Sequence, residues 1–329
     1  MTNMIITGTG SCLPDQIITN EDLTKLVETS DEWIRERTGI GERHISKTET
    51  VAELASKACE RALQQAGRKP EEVDLILVAT CSPELLLPCC ACQVQQHLKA
   101  ENAVAFDLNA ACSGFLFALD TAWAYLKAGI YHNALIVGSE VLSKLVDWTD
   151  RSTCVLFGDG AGAVFVEQAE SKDGLNHGMK SMVQGSDGSL GNALTCLERA
   201  VESPFAGQGE EMPDGFVRMD GKEIYKFATR RIPDVIEKAV AAAEMTVDDI
   251  DLFVLHQANV RIIETVAKRL HADISKFPVN LDRVGNMSSA TIPVLLDELN
   301  RAGKLQRGQK IVLSGFGAGL TYGASVIIW

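Results

Sequence analysis

The chain has 329 residues, of which 46% are hydrophobic, and a formal net charge of −13. This composition predicts a globular protein with a large core, either as two domains or as one domain of two similar halves. The negative charge argues against nonspecific binding to nucleic acid or anionic membranes, and no apolar run reaches transmembrane length. Because the first residues lack the basic segment of a signal peptide and the nine cysteines form no disulfide-type pattern, we expect a cytoplasmic protein.

In chain order, the first part of the sequence predicts a short apolar strand at residues 4–8, followed by capped helices. The helix that Ser30 caps carries Trp33 close to Arg35 and Arg37, with Arg43 a few residues further on. This spacing fits two interpretations. The residues either pack and form ordinary Arg–Glu pairs, or they form a clamp for adenine and phosphate.

From residue 50 onwards, helices and strands alternate. Apolar positions recur at the helical period over residues 50–67, and residues 75–79 form a continuous apolar run, typical of a strand buried on both faces. The same criteria predict helices at 92–98 and 113–128 and strands at 103–108, 133–138, 155–157 and 161–166. Three cysteines fall within residues 89–92, but no second Cys/His pair has zinc-site spacing, so we predict no metal. The glycine-rich run 157–162 fits neither a P-loop nor a dinucleotide fingerprint and predicts a tight turn between antiparallel strands.

The second part of the sequence repeats this pattern. A helix is predicted after residue 221, and Pro233 is expected to start a new one. Residues 247–255 resemble residues 71–78, with acidic residues, an aspartate and then a buried strand. A helix at 260–270, a strand at 277–281, a corner at 286–290 and a strand at 310–313 then follow in the order seen in the first half. Two copies of one α/β unit, related by a pseudo-twofold axis, would bring both corners to one central cleft. We therefore predict an N-terminal half at residues 1–172 and a C-terminal half at residues 173–329.

Cys112 lies where a buried strand is predicted to end and an apolar helix to begin. Unpaired backbone N–H groups and the positive end of the helix favour an anion there, which predicts a lowered pKa for the thiol. Gly114 allows backbone or substrate to approach closely. The alternative is that Cys112 is a small core residue, because cysteines are commonly buried.

Two polar residues of the second half are candidate partners of Cys112. His256 follows a buried strand directly, and the carboxyl end of a strand is the usual place for ligand chemistry in α/β sheets. Asn286 follows Gly285 in the second corner. Taken alone, the histidine also fits a structural role and the asparagine a turn. The small-residue run 314–320 forms a third corner, which can offer a backbone N–H group to an oxyanion.

Six motifs occur in order along the chain: DEWIRERTGI at residues 31–40, ACSGF at 111–115, FGDGAG at 157–162, HQAN at 256–259, GNMSSA at 285–290 and GFGAGLT at 315–321. Together they resemble the β-ketoacyl-acyl-carrier-protein synthase III family of the thiolase-like fold. The resemblance implies an α/β protein of two duplicated halves related by a pseudo-twofold axis, in α-β-α-β-α layers.

The resemblance also implies a condensing enzyme that initiates fatty acid synthesis. Cys112 would take the acyl group of a short-chain acyl-coenzyme A (acyl-CoA) as a thioester, and malonyl-acyl-carrier protein would lose CO₂ and attack it to give 3-ketoacyl-acyl-carrier protein. His256 and Asn286 would hydrogen-bond to the malonyl thioester oxygen. The backbone N–H groups of Cys112 and Ala318 would hold the oxyanion of acyl transfer, although the family usually has glycine at the position of Ala318.

The coenzyme site implied by the resemblance lies at the other end of the substrate. Trp33 and Arg151 would sandwich the adenine, Arg37 would lie near the phosphates and Asn259 near the pantetheine. Coenzyme A would be a substrate, and no permanently bound cofactor is implied.

Two contacts with other proteins are also implied. Arg261 and Lys268, seven residues apart on one helix, would face the acidic carrier protein, and an ordinary solvated helix face is the alternative. Leu87 lies in a stretch that, in the family, often carries an aromatic residue, and that residue lines the acyl tunnel of the neighbouring subunit. In a homodimer, Leu87 would therefore shape the acyl pocket, and we expect it to admit longer or branched primers.

Three other functions fit parts of this pattern. Another acyl-CoA-dependent condensing enzyme or acyltransferase of the same fold, serving secondary metabolism, would use the same residues with coenzyme A thioesters throughout, so that dependence on carrier-protein-bound malonate distinguishes the two. A cysteine hydrolase is the second, since papain-like enzymes have Cys, His and Asn in the same chain order. A non-catalytic homologue that binds the carrier protein is the third.

Overall fold

The computed structural model describes residues 2–170, 177–196 and 215–329. Up to residue 170 the elements are β1 (Thr2–Cys12), β2 (Ile17–Thr19), α1 (Asn20–Leu23), α2 (Asp31–Thr38), β3 (Glu42–His44), α3 (Val51–Ala66), β4 (Leu75–Ala79), α4 (Cys90–Leu98), β5 (Val104–Leu108), α5 (Gly114–Lys127), β6 (Asn133–Glu140), α6 (Arg151–Cys154) and β7 (Gly160–Glu170). From residue 177 they are β8 (Gly178–Ser186), β9 (Leu194–Thr195), β10 (Arg218–Met219), α7 (Gly221–Ala242), β11 (Leu252–Leu255), α8 (Val260–Arg269), α9 (Leu281–Val284), α10 (Thr291–Arg301), β12 (Lys310–Gly317) and β13 (Thr321–Ile328). The predicted boundary between residues 172 and 173 lies outside the described residues.

The two large sheets have the same strand order. One sheet runs β1-β7-β6-β4-β5, and the other, read from β8, runs β8-β13-β12-β11. In both sheets the first two pairs are antiparallel and the third pair is parallel. The duplication predicted from the sequence pattern is therefore present in the topology.

The sheets and helices form five layers. Successive residues of β4 point to opposite faces, so that Leu75 and Leu77 pack in one hydrophobic cluster and Ile76 and Val78 in another. The first cluster also contains residues of α5, α10, β11 and β12, which shows that α5 and α10 lie between the two sheets. Helices α3 and α4 cover the outer face of the first sheet, and α7 and α8 cover that of the second.

Residues 277–281, predicted as a strand, do not form one. This segment passes from a 3-10 turn at Ile274–Lys276 into α9 without pairing to a sheet. Pro278 within it has no N–H group to give to a ladder, which disfavours sheet formation. Within the residues that the structure describes, the second sheet therefore has four strands where the first has five.

Contrary to the prediction from the sequence, Pro233 does not begin a helix. It lies inside α7, which is continuous over 22 residues. An internal proline removes one helical hydrogen bond. The apolar face of α7 nevertheless stays buried on both sides of it, through Phe227 and Ile232 before it and Val235 and Ile236 after it.

The two corners have matching backbones. A 3-10 turn at Ala111–Ser113 leads into α5, and one at Ser288–Ala290 leads into α10. The first residue of each turn is left-handed, with φ of 48° at Ala111 and 47° at Ser288, a conformation that non-glycine residues rarely adopt. Both turns face the middle of the molecule, and they carry the candidate site.

Candidate active site

Cys112, His256 and Asn286 line one cleft, whose cavity volume is about 130 Å³. The first comes from the corner between β5 and α5, the second from the end of β11 and the third from the loop that precedes the corner of α10. Apolar side chains such as Leu156, Phe157 and Ile224 form much of the remaining wall. The structure thus brings together the three residues that the sequence singled out as a set.

Burial raises the pKa of the Cys112 thiol to about 12. A hydrogen bond from Ser288 acts in the opposite direction and lowers this pKa, while the negative charge of Glu140 adds to the rise. The lowered pKa predicted for Cys112 from the helix end is therefore wrong. Loss of hydration destabilises the thiolate more than the positive end of the helix stabilises it.

His256 is buried and has a fixed orientation. Its backbone N–H donates to Ser314 O at 2.8 Å, its Nδ1 lies 2.7 Å from Thr291 Oγ1, and its ring packs edge-on against Phe316 at 5.5 Å between centroids. Burial lowers the pKa of His256 to about 3, so the imidazole is neutral at physiological pH. Because Nδ1 is held by Thr291, Nε2 remains the nitrogen for a ligand.

Asn286 is held by its backbone and by its side chain. Its N–H donates to Leu156 O at 2.9 Å, and its carbonyl accepts from Gly158 N at 3.0 Å, in a bridge to Phe157. The side-chain Oδ1 accepts from Ser288 N at 2.9 Å, which leaves the Nδ2 amide as the free donor. The glycine-rich run that starts at Phe157 is thus a support for Asn286 rather than the predicted hairpin turn, and β7 begins only at Gly160.

Arg43 holds the backbone just before Phe157 in place. It is fully buried and donates to Val155 O at 2.8 Å, Asn20 Oδ1 at 2.9 Å and Ile18 O at 3.2 Å. A guanidinium enclosed in this way is not available to a phosphate. Of the three arginines grouped with Trp33 in the sequence, Arg43 is therefore a structural residue.

The third corner lies directly against Cys112. Gly317 lines the cleft, and a Cβ atom added to it would lie only 2.6 Å from Cys112 N. Only glycine permits this close approach of two backbones. Ala318 is the next residue, and the role of its N–H group stays a prediction.

Trp33 is stacked between two guanidinium groups. The Cζ atom of Arg37 lies 4.5 Å from the ring centroid and that of Arg151 lies 4.7 Å from it. Arg151 also donates to Glu28 O at 2.8 Å, and Arg37 forms a weak ion pair with Glu36 at 3.6 Å. The aromatic and cationic cluster predicted from the sequence is therefore assembled, and Arg–Glu pairing accompanies it.

Asn259 joins this cluster to the cleft. Its Oδ1 accepts from Arg261 N at 2.9 Å and so caps α8, while its Nδ2 donates to Arg37 O at 2.9 Å. Arg261 and Lys268 are exposed on the same face of α8, with Glu264 between them. Arg261 lies 3.8 Å from a carboxylate oxygen of Glu36.

Leu87 lies outside the cleft of this chain. It is 86% exposed, and Leu85 and Leu86 beside it are 48% and 67% exposed.

Within the described residues, no group of His, Cys, Asp and Glu side chains is arranged to hold a metal ion. No described helix has the length and apolarity needed to cross a membrane.

Thr291, Ser288 and Glu140 were not singled out by sequence reasoning. The first two lie one turn apart in the second corner and contact His256 and Cys112. Glu140 ends β6 and is fully buried near the thiol. Its one available signal was a charged residue at the end of an otherwise apolar strand.

Known proteins resemble this chain over its whole length. The family described as 3-oxoacyl-[acyl-carrier-protein] synthase III matches residues 106–188, and its C-terminal counterpart matches residues 240–329. The β-ketoacyl-[acyl-carrier-protein] synthase III of Clostridium acetobutylicum is 48% identical over 329 residues, which is 100% of this chain and 99% of that protein.

Solved structures agree in fold. The 3-oxoacyl-[acyl-carrier-protein] synthase III of Aquifex aeolicus is 43% identical with a TM-score of 0.92, covering 99% of this chain and 100% of that one. The priming β-ketosynthase of the R1128 polyketide biosynthetic pathway is 33% identical with a TM-score of 0.91, covering 99% and 96%. The predicted fold of two duplicated α/β halves is thus confirmed.

Proposed function

Since the chain belongs to the 3-oxoacyl-[acyl-carrier-protein] synthase III family, as its six motifs predict, we propose that it condenses a short-chain acyl-CoA with malonyl-acyl-carrier protein. The product is 3-ketoacyl-acyl-carrier protein, and the reaction initiates fatty acid synthesis. The observation that carries this proposal is the common cleft of Cys112, His256 and Asn286. A thiol, a neutral imidazole and a free amide donor are the groups that the two half-reactions need.

The first half-reaction is acyl transfer. Cys112 loses its proton, its sulfur attacks the acyl-CoA carbonyl, and the C–S bond to coenzyme A then breaks, leaving an acyl thioester on Cys112 and free coenzyme A thiol. The oxyanion between these steps accepts hydrogen bonds from the backbone N–H groups of Cys112 and Ala318. The contact between Gly317 and Cys112 N supports this assignment, since it brings the two backbones together.

The second half-reaction is decarboxylation followed by carbon–carbon bond formation. Asn286 Nδ2 and His256 Nε2 donate to the malonyl thioester oxygen, the bond to the carboxylate breaks, and CO₂ leaves behind an enolate. The enolate carbon attacks the acyl thioester, and the Cys112 thiolate is released. The low pKa of His256 supports a neutral ring, and donation from Nε2 uses the tautomer in which Nδ1 accepts from the Thr291 hydroxyl. In this tautomer the Thr291 proton turns from Ser288 O, which lies 3.0 Å away, to Nδ1.

Coenzyme A binds along the cluster of Trp33, Arg37 and Arg151, with Asn259 next to the pantetheine. The aromatic face of Trp33 supports an adenine site there, and Arg151, whose guanidinium lies 4.7 Å from the ring centroid, moves outward to let the base enter between them. No cofactor stays bound between turnovers. The acidic carrier protein docks on Arg261 and Lys268, which are exposed basic residues on a chain of net charge −13.

The protein works as a homodimer in the cytoplasm. Strand β5 is the outer strand of its sheet and pairs only with β4, and Val104 on it is 47% exposed. An uncovered edge strand is a template for pairing with a second copy. The exposed Leu85–Leu87 segment supports the same interface, through which Leu87 reaches the partner's acyl pocket. A cytoplasmic location keeps Cys112 reduced.

A second function is a priming condensation in secondary metabolism. The 33% identity to a priming β-ketosynthase of a polyketide pathway favours it. A papain-type hydrolase is disfavoured, because its asparagine must orient the histidine. In this cleft Thr291 contacts His256, and the Asn286 side chain binds Ser288.

The proposal is tested by supplying acetyl-CoA with malonyl-acyl-carrier protein or with malonyl-CoA. We expect acylated Cys112 in the intact mass and 3-ketoacyl product only with the carrier protein. Equal product from malonyl-CoA would favour the second function. Release of free acetate at the rate of condensation would favour a hydrolase.

A further inference from the structure

Glu140 is a buried carboxylate in the contact between the two halves, and the proposed mechanism does not use it. Three consecutive residues after β4 donate to its Oε2 atom: Thr80 Oγ1 at 3.1 Å, Cys81 N at 3.1 Å and Ser82 Oγ at 2.5 Å. The second half supplies another donor, Ser289 Oγ, at 2.9 Å from Oε1. None of these partners carries a positive charge. A carboxylate so enclosed is costly to bury, and it requires these donors to stay in place.

Ser289 is the point at which the second corner touches the first half. Its hydroxyl lies 2.9 Å from Ala79 O, at the end of β4. A Cβ atom added to Gly138 of β6 would lie 2.2 Å from Ser289 O, and one added to Gly114 of α5 would lie 3.7 Å from Ser289 Cβ. The corner is therefore pressed against the strand ends and against the helix that follows the nucleophile.

The residues next to Ser289 act in the cleft. The Ser288 hydroxyl acts on the Cys112 thiol by lowering its pKa, and the Ser288 N–H group donates to Asn286 Oδ1. A shift of Ser289 would move both contacts. The Glu140 carboxylate and Ala79 O are the two polar contacts that hold the Ser289 hydroxyl to the first half.

We propose that Glu140 is a positioning residue for the condensation, anchoring the corner of Ser288 and Ser289 against the strand ends beside Cys112. This inference rests on the proposed function. Glutamine is an imperfect replacement for the carboxylate. If its one acceptor oxygen keeps the donors of the Oε2 position, its NH₂ group faces Ser289 Oγ, whose proton must then turn to Ala79 O, and the negative charge is lost.

The charge of Glu140 gives the proposal a second signature. The ionisable groups that face Cys112 are Cys81 after β4, Glu140 on β6 and the neutral His256 after β11, within the parts of the chain that the structure describes. Glu140 raises the pKa of the Cys112 thiol. Removing its charge therefore lowers that pKa, whereas a residue with only a packing role leaves it unchanged.

The experiment compares Glu140→Gln with Asp159→Asn. Asp159 is a matched control, because it is equally buried and its carboxylate is bound by Ser46 N at 2.8 Å and Ser143 Oγ at 2.6 Å rather than by the corner. Alkylation of Cys112 by iodoacetamide is followed from pH 6 to pH 11 by peptide mass spectrometry, which separates Cys112 from the other cysteines. Acylation of Cys112 and release of CO₂ from malonyl-acyl-carrier protein are measured in parallel.

We expect Glu140→Gln to alkylate faster at a given pH below the pKa and to release CO₂ about 10²-fold more slowly, the loss typical of a displaced catalytic group. Asp159→Asn should leave the alkylation profile unchanged. Parental CO₂ release in Glu140→Gln, or the same alkylation profile in both variants, would overturn the proposal.

Ser289→Ala keeps the proposal testable if Glu140→Gln does not fold. Ser289→Ala removes the hydrogen bond between Ser289 and Glu140 and keeps the charge of Glu140. We therefore expect slower CO₂ release and an unchanged alkylation profile of Cys112. Parental CO₂ release in Ser289→Ala would overturn the positioning role. A parent enzyme that does not condense would refute the proposed function instead, while the alkylation profile, which needs no substrate, would still test Glu140.

Discussion

Replacement of Thr291 by valine tests how the neutral His256 is held. Valine keeps the shape of the side chain and removes the hydroxyl that lies 2.7 Å from His256 Nδ1. The buried Nδ1 then has no partner, which costs about 1–3 kcal/mol. If this cost falls on the decarboxylation transition state, where Nε2 must donate, the rate falls by about 5- to 150-fold. Acyl transfer to Cys112 does not use the imidazole and should keep its rate.

The assay measures release of labelled CO₂ from malonyl-acyl-carrier protein and the intact mass of the acylated protein. Thr121→Val is the matched control, because that hydroxyl donates only to Phe117 O within α5. A loss of acylation as large as the loss of decarboxylation would refute the reasoning. So would a Thr291→Val enzyme that decarboxylates at the parental rate.

Three further predictions concern the thiol and the pockets around it. Gly317→Ala places a methyl group 2.6 Å from Cys112 N, so we expect the free energy of unfolding to fall by about 1–3 kcal/mol and acylation, measured by intact mass, to be slow. Gly188→Ala is the control and should behave like the parent, because no atom lies within 4 Å of its new methyl group. Parental acylation of Gly317→Ala would contradict the close contact. Because the pKa of Cys112 is raised to about 12, its alkylation rate should climb roughly tenfold per pH unit between pH 7 and pH 10, and a plateau below pH 8 would show that the pKa is not raised. The leucine at position 87 should let isobutyryl-CoA and hexanoyl-CoA serve as primers beside acetyl-CoA in a product assay, and strict preference for acetyl-CoA would end that hypothesis.

The sequence was sufficient to predict the outline of the fold and the set of three residues. Apolar runs such as 75–79 identify buried strands, because only a strand covered on both faces is apolar without alternation. The repeated order of strand, helix and corner then places Cys112 and Asn286 at equivalent ends of two units. His256 could be found because it ends the apolar run that forms β11.

Features that depend on tertiary contacts were not predictable in this way. The pKa of Cys112 depends on how deeply the thiol is buried and on Glu140, which is 28 positions away in the chain. Pro233 fails to break α7 because burial of the helix face outweighs one lost hydrogen bond, and burial is set by the sheet beneath it. Residues 277–281 have the apolar pattern of a strand but do not pair with a neighbouring strand, and no local property of a sequence shows whether such a strand lies beside it.

The central claim is that the two halves have separate tasks, with acyl transfer at Cys112 and decarboxylation at His256 and Asn286. The direct test is to incubate Cys112→Ala, His256→Ala and Asn286→Ala with acetyl-CoA, record the intact mass, and then measure CO₂ release from malonyl-acyl-carrier protein. We predict no acyl-enzyme in Cys112→Ala, and full acylation with CO₂ release reduced about 10²- to 10³-fold in the other two variants. Equal loss of acylation in all three variants would contradict the account.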